Sequence, residues 1–249
     1  MLTPRFFRRL LFHTLTVAAL VLFAAIGFSV LAQKKRVPPG GNVAVVADER
    51  LAALRVAPSL NAHLIRRLSR GRFVSVRTTK RNYEGILFSH VVVTRRTSGW
   101  IQSQSLVMSG RYGDDERLLH LIGGPDEFER IARARIFLET FPRSPLRPKV
   151  LSALGAAAEE AAEQLTREAS RRFERREIPT DGAPEFSYYL NYNGLDRYNR
   201  QGVTFVFDRE KRQFHYDGAA WREILRRYPY SREEGEARNR LEKLATYSR

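Results

Sequence analysis

The sequence predicts an α+β multidomain chain: a small β-barrel, then a mostly α-helical hairpin domain with a small β-hairpin, preceded by an N-terminal signal or membrane helix. Three observations predict it. Residues 42–107 hold short alternating or β-branched runs separated by turn residues, the pattern of strands. Residues 126–249 hold long stretches with apolar positions three and four apart, the pattern of helices. Residues 10–32 carry no charge at all.

That first stretch begins with Arg5, Arg8 and Arg9 and then runs from Leu10 to Ala32, with only His13, Thr14, Thr16 and Ser29 interrupting its apolar character. A basic head, an apolar middle and small residues before Gln33 fit a secretory signal cleaved after Ala32. The same 23 uncharged residues also suffice for a bilayer span, which needs about 20. Lys34, Lys35 and Arg36 put basic residues on both flanks and weaken the orientation signal. Residues 1–32 are thus a signal peptide or a transmembrane anchor, and 33–41 a linker. Either reading places the bulk of the chain outside the cytoplasm, in the periplasm or on the outer face of the cytoplasmic membrane.

Residues 42–107 read as four or five short strands. Val43 to Ala47 is an apolar run, Phe73 to Arg77 alternates so that Val74 and Val76 share a face, Val91 to Thr94 is β-branched, and Gly99 to Gln102 closes the set. Turn residues fall between them at Ala57-Pro58-Ser59, Arg70-Gly71-Arg72, Asn82 to Gly85 and Arg95 to Ser98. A closed barrel removes the edges that a flat sheet of this size leaves unpaired. Alternation puts Trp100 opposite Ile101, so a buried Ile101 leaves Trp100 at the surface, as a cover for the barrel or as a ligand platform.

Three local matches carry a family resemblance: Leu54 to Ser59, Leu64 to Gly71, and Gly99-Trp100-Ile101. In order and spacing they resemble bacterial SH3-like (SH3b) domains, with Ala57 where many members have glycine. The resemblance implies an SH3-like barrel and a binding role, and the ligand is left open among cell-wall peptides, partner proteins and none. The candidate ligand-binding residues are Trp100, Arg95, Arg96 and Tyr83.

The formal net charge is +16, unevenly placed. Residues 34–107 carry +11 and residues 108–249 only +2. Arg66, Arg67, Arg70, Arg72, Lys80 and Arg81 form the expected basic surface, together with Arg77, Arg95 and Arg96. Such a surface suits lipid phosphates or acidic wall polymers, or simply keeps the protein soluble. An export segment argues against nucleic acid as the partner. With no cysteine there is no disulfide, no thiolate nucleophile and no lipid-modified cysteine.

Residues 108–125 read as a linker with a short helix, capped by Asp114 or Asp115 and ended by Gly123-Gly124. Pro125 opens the next helix, along which Phe128, Ile131, Ala134, Leu138 and Phe141 form a stripe. After Phe141-Pro142-Arg143-Ser144-Pro145, with Ser144 placed as a cap, Val150, Leu154, Ala157, Ala161, Leu165 and Phe173 line a second helix. The motif returns as Tyr228-Pro229-Tyr230-Ser231, the two prolines 87 residues apart, and Ala237 and Leu241 fall where Val150 and Leu154 fall. Paired helices around an aromatic-proline-x-serine corner resemble tetratricopeptide-like units of envelope proteins, although the spacing is far from a regular array of about 34 residues.

Between the hairpins, the insertion at 178–216 mixes Tyr188, Tyr189, Tyr192 and Tyr198 with asparagines, a composition that packs on helices or grips a sugar or peptide. Tyr188, Tyr189 and Tyr192 are its binding candidates. Thr204 to Phe207 and Gln213 to Tyr216 resemble a β-hairpin flap.

Catalysis has little support in the residues. The five histidines lie far apart without a local ligand pair, and neither a G-x-S-x-G elbow nor a P-loop occurs. No catalytic residue, metal site or cofactor is expected. The expected function is that of a non-catalytic exported cell-envelope adaptor, partnered by an envelope protein or peptidoglycan and associated with the membrane through its N-terminal segment. The alternatives are a basic module docking directly on peptidoglycan or anionic lipid, and an auxiliary subunit of a wall-cleaving enzyme.

Overall fold

The computed structural model describes residues 42–174, 182, 184–191 and 194–246. The predicted signal or membrane segment and the 33–41 linker lie outside the described residues, as does Tyr192. Among the described residues no helix is long and apolar enough to cross a membrane. The described residues fall in one compact unit, and three apolar cores are built among them from residues between 44 and 244.

The protein is α+β, with a large antiparallel sheet followed by helices. β1 (Asn42–Val46), β2 (Ala53–Arg55), β3 (Leu64–Arg67), β4 (Phe73–Arg81), β5 (Leu87–Thr94), β6 (Thr97–Gln102) and β7 (Leu106–Val107) pair in the order β3-β2-β6-β5-β4-β1-β7. Seven strands form where four or five are predicted. β3 lies in the Leu64–Gly71 stretch, where the family resemblance implies a strand, and the additional ones are the short pieces β2 and β7, in which two or three residues leave too little periodicity to read. Leu54 of β2 and Leu106 of β7 share one core with Val46, Val74, Val91 and Ile101, so the sheet curls around it.

The register shifts within the β2–β3, β4–β5 and β5–β6 pairs mark bulges that bend the strands, and the turns are fixed locally. Gly71 takes a φ of 74° ahead of β4, a conformation open to glycine at little cost, and its N–H reaches Val46 O at 2.8 Å. At the β4–β5 tip the Asn82 side chain accepts from Ile86 N at 2.8 Å.

The helices do not trail behind a linker. α1 (Asp114–Ile122), α2 (Glu127–Thr140) and α3 (Arg147–Glu174) share a continuous core with the sheet's other face: Val45, Ala47 and Val107 pack with Leu118, Ile122, Phe137, Phe141 and Val150. The cap of α1 is Gly113, at φ 77°, in place of the predicted aspartates. Asp114 is buried instead, accepting from Met108 N at 2.8 Å and Arg111 Nε at 2.8 Å, so it fastens the crossing from β7 into α1. The cap of α2 is Asp126, which accepts from Glu129 N at 2.7 Å and leaves Pro125 just outside the helix. Ser144 lies in the turn before α3, donating to Asp115 at 2.8 Å.

The internal echo is visible as geometry. α6 (Ala219–Arg227) and α7 (Glu234–Ala245) form a second hairpin. Phe141 N bonds Phe137 O and Tyr228 N bonds Ile224 O, both at 2.8 Å; Ser144 N and Ser231 N then bond the Phe141 and Tyr228 carbonyls at 3.3 and 3.0 Å. Buried Arg147 joins the two corners, donating to Leu138 O at 2.8 Å and to the Tyr228 hydroxyl at 2.9 Å.

Between the hairpins lie α4 (Glu185–Leu190), α5 (Gly194–Asn199) and the strand pair β8 (Phe205–Asp208) and β9 (Gln213–Tyr216). This hairpin, expected as a flap, packs down: Phe214 and Tyr216 are buried with α3 in the helical core, and Phe214 N donates to Thr166 Oγ1 at 2.8 Å.

Candidate functional site

Strand register assembles the site. In β6, Ile101 is fully buried and Trp100 is partly exposed on the opposite face. Trp100 stands across from His90 on β5 and from Arg55 on β2, while His90 stands across from Thr78 on β4. Directly opposed residues share a face, so Thr78, His90, Trp100 and Arg55 make one cross-strand row. The His90 and Trp100 rings meet edge to face, with centroids 5.1 Å apart at 66°. Arg55 is braced by donating to Ala62 O at 2.7 Å.

Two further cations border this row. Lys80 follows Thr78 by two residues on β4 and so shares its face. Arg67 stands across from Ala53, which precedes Arg55 by two residues on β2. Both lie toward the same end of the sheet, on strands four steps apart in the order, or roughly 19 Å at about 4.8 Å per step. Lys80 and Arg67 are exposed and enter no ion pair among the described residues.

The acids of the sheet region are engaged elsewhere. Asp48 binds Arg50, whose guanidinium holds the Asp48 carboxyl below the usual carboxylate range. Glu49 lies 3.3 Å from Arg70, and Glu84 accepts from the Asn82 side chain in the hairpin turn. The Trp100 face therefore combines an aromatic pair with uncompensated positive charge.

The structure divides the predicted basic surface. Arg70 is not part of an open surface: its side chain is 10% exposed and sits between Glu129 at 2.5 Å and Glu49 at 3.3 Å. The reason is the turn that carries it, which packs against α2. Arg66 and Arg81 are exposed, Arg81 donating to Gly85 O at 2.5 Å. Arg72 is exposed at the opposite end, 3.5 Å from Val93 O, near Arg95 and Arg96 of the β5–β6 turn. Tyr83 is fully exposed at the β4–β5 tip. Tyr83 and the Arg95-Arg96 pair thus lie at opposite ends of β5, whose eight residues span roughly 26 Å. Trp100 lies between them, and its near neighbours are His90 and Arg55, which sequence reading missed because register, not spacing, brings them together.

Gly99 makes this row possible. A Cβ there would fall 2.6 Å from Arg55 O and 2.9 Å from Ile65 Cδ1. Gly99→Ala is expected to lower stability by about 1–3 kcal/mol, read from urea denaturation; a variant as stable as the parent would show the contact to be compliant.

Among the described residues, Tyr189 and Tyr198 of the insertion serve packing. Tyr189 is buried and stacks on Phe207, with centroids 5.1 Å apart, and Tyr188 is partly buried on the same short helix. Tyr198 is fully buried between Phe128 and Phe205. Burial pushes the Tyr198 hydroxyl up to about 12, and it donates to Glu127 at 2.9 Å while accepting from Arg197 at 2.7 Å.

A concavity away from the Trp100 face was not legible in the sequence. It is an open groove of about 990 Å³ on α1, α2 and α3, with Leu119, Ile122, Leu146 and Ala153 on its walls and Arg50, His120 and Lys149 among its polar lining. Among the described residues no group of three or more His, Cys, Asp or Glu is placed to hold a metal. Compared with protein-family models, with curated proteins and with solved structures, the chain matches none.

Proposed function

We propose that the chain is a non-catalytic, exported cell-envelope binding protein whose sheet, read as an SH3-like barrel, docks on an anionic surface of the envelope. Its place is the periplasm or the outer face of the cytoplasmic membrane. The observation that carries the reading is the excess of cations over carboxylates on the sheet, where Asp48, Glu49 and Glu84 are the only acids of residues 42–107 and each is engaged locally. In the helical part, where acids nearly balance bases, Arg111, Arg130, Arg135, Arg147, Arg197, Arg227, Arg238 and Arg240 meet carboxylates, while Arg143, Lys149, Arg226, Arg232 and Lys243 are exposed without one among the described residues. On the sheet, Arg66, Arg67, Arg77, Lys80, Arg95 and Arg96 are exposed and meet none among the described residues. Solvated like charges on one element repel one another and gain by meeting an anionic partner. The SH3-like reading draws support from seven antiparallel strands around one core and from Gly99-Trp100-Ile101 on β6.

A second reading is favoured by the α1–α3 groove. There the tetratricopeptide-like helices hold an apolar segment of an envelope protein, and the chain acts as an adaptor.

Salt separates the two readings. A fragment of residues 33–249 is expected to bind peptidoglycan or phosphatidylglycerol vesicles and to lose roughly ten-fold or more in affinity between about 0.05 and 0.3 M salt. The pair Arg67→Glu and Lys80→Glu, both on the exposed sheet, is expected to produce a similar loss at low salt. Retention on neither surface, or retention indifferent to salt and to both substitutions, would remove the docking reading and leave the groove.

A further inference from the structure

The Trp100 face has more chemistry than a charged surface needs. Docking on a plane of anions requires only exposed cations, which the sheet offers at both of its ends. The face also presents an indole braced by an imidazole, with a guanidinium across from it on β2 and unpaired Arg67 and Lys80 on the outer strands. The flat faces of an aromatic ring suit the apolar face of a sugar ring, while cations on either side suit its acidic substituents. Loops do not carry these groups. All of them stand on paired strands, so their spacing is fixed before any ligand arrives.

Resting on the docking reading above, we propose that the ligand of this face is a linear anionic glycan. One sugar ring stacks on Trp100 beside His90, and carboxylates or phosphates on that ring and its neighbours meet Arg55, Lys80 and Arg67. The distance between the outer two cations, roughly 19 Å along the sheet, exceeds a single ring, so a chain of several rings engages both where a monosaccharide engages one. The geometry separates this ligand from a lipid surface. An array of headgroups gains from every exposed cation and has no use for a half-buried indole, whereas a glycan depends on the indole itself.

The test uses the residue 33–249 fragment with three probes: oligogalacturonate, a linear glycan with a carboxylate on each ring; its methyl ester, with the same rings uncharged; and phosphatidylglycerol vesicles. Only Trp100 and Trp221 fluoresce as tryptophans, and Trp221 is fully buried, so a ligand on this face reads out as a change in the Trp100 emission. Expected are oligogalacturonate binding with that change, affinity that rises with oligomer length, and at least ten-fold weaker binding of the methyl ester. Trp100→Ala is expected to weaken oligogalacturonate binding at least ten-fold and Trp100→Phe much less, with vesicle binding by either variant unaltered. Methyl ester bound as tightly as the acid would overturn the proposal. So would vesicle binding alongside oligogalacturonate that is not bound, or is bound equally by Trp100→Ala; in that case the docking reading stands. Binding to neither vesicles nor glycan overturns both.

Discussion

Glu129→Ala is expected to lower stability by about 2–3 kcal/mol, between the values for exposed and fully buried ion pairs because the Glu129 side chain is itself 28% exposed. Glu129 stands between two guanidiniums, Arg70 at 2.5 Å and Arg133 at 2.8 Å, whose side chains are 10% and 8% exposed. Arg70 belongs to the turn before β4, while Arg133 lies on α2 and also donates to Leu121 O at 2.9 Å near the end of α1. One carboxylate therefore ties the sheet to two helices. Without it, two poorly solvated like charges remain side by side, with Glu49 left against Arg70 alone. Urea denaturation of Glu129→Ala and of the triple replacement Arg70→Met, Glu129→Leu, Arg133→Met separates charge from packing. The triple variant is expected to recover much of the loss, because replacing a whole buried ionic group by apolar residues of similar volume is often nearly neutral. A loss under about 1 kcal/mol for Glu129→Ala would mean that the triad behaves as an exposed pair.

This triad also marks the boundary of what the sequence reveals. Strand and helix positions follow from local pattern. Val74 and Val76 face the core as their alternation implies, and the hairpin expected around residues 208–212 forms with Asp208 accepting from Glu210 N and Lys211 N at 2.9 and 3.0 Å. The echo of Phe141-Pro142 in Tyr228-Pro229 corresponds to two corners with the same hydrogen bonds. Partnerships between distant residues are different, because register and packing decide them. Arg70 looks like Arg66 and Arg67 in the sequence, yet a turn lays it under α2 while they remain in solvent. Trp100 is recognisable from its alternation with Ile101, but His90 and Arg55 become its neighbours only once three strands align. The α1–α3 groove is a relation among three helices, so no single segment encodes it.

The largest single loss is expected from Trp221→Ala, about 3–5 kcal/mol, as for other fully buried large aromatics. Trp221 on α6 lies against Gly155 of α3 so closely that a Cβ at Gly155 would fall 2.5 Å from ring atom Cζ2. The missing side chain is what lets the two helices approach. Its indole N–H donates to Glu159 at 2.8 Å, and the other Glu159 oxygen accepts from Arg240 of α7 at 2.7 Å. Truncation thus leaves a void between α3 and α6, deprives Glu159 of a donor and loosens the attachment of α7. Trp221→Phe retains most of the apolar volume and loses the hydrogen bond, so its cost is expected to be smaller, about 1–2 kcal/mol. The Trp100 face belongs to a sheet whose core is separate from that of Trp221, and wherever Trp221→Ala stays folded its ligand binding is expected to match the parent. Unfolding midpoints by far-ultraviolet circular dichroism, followed by titration of that face, measure both effects. A midpoint unchanged by Trp221→Ala would mean that the second hairpin rests on α3 without depending on its indole.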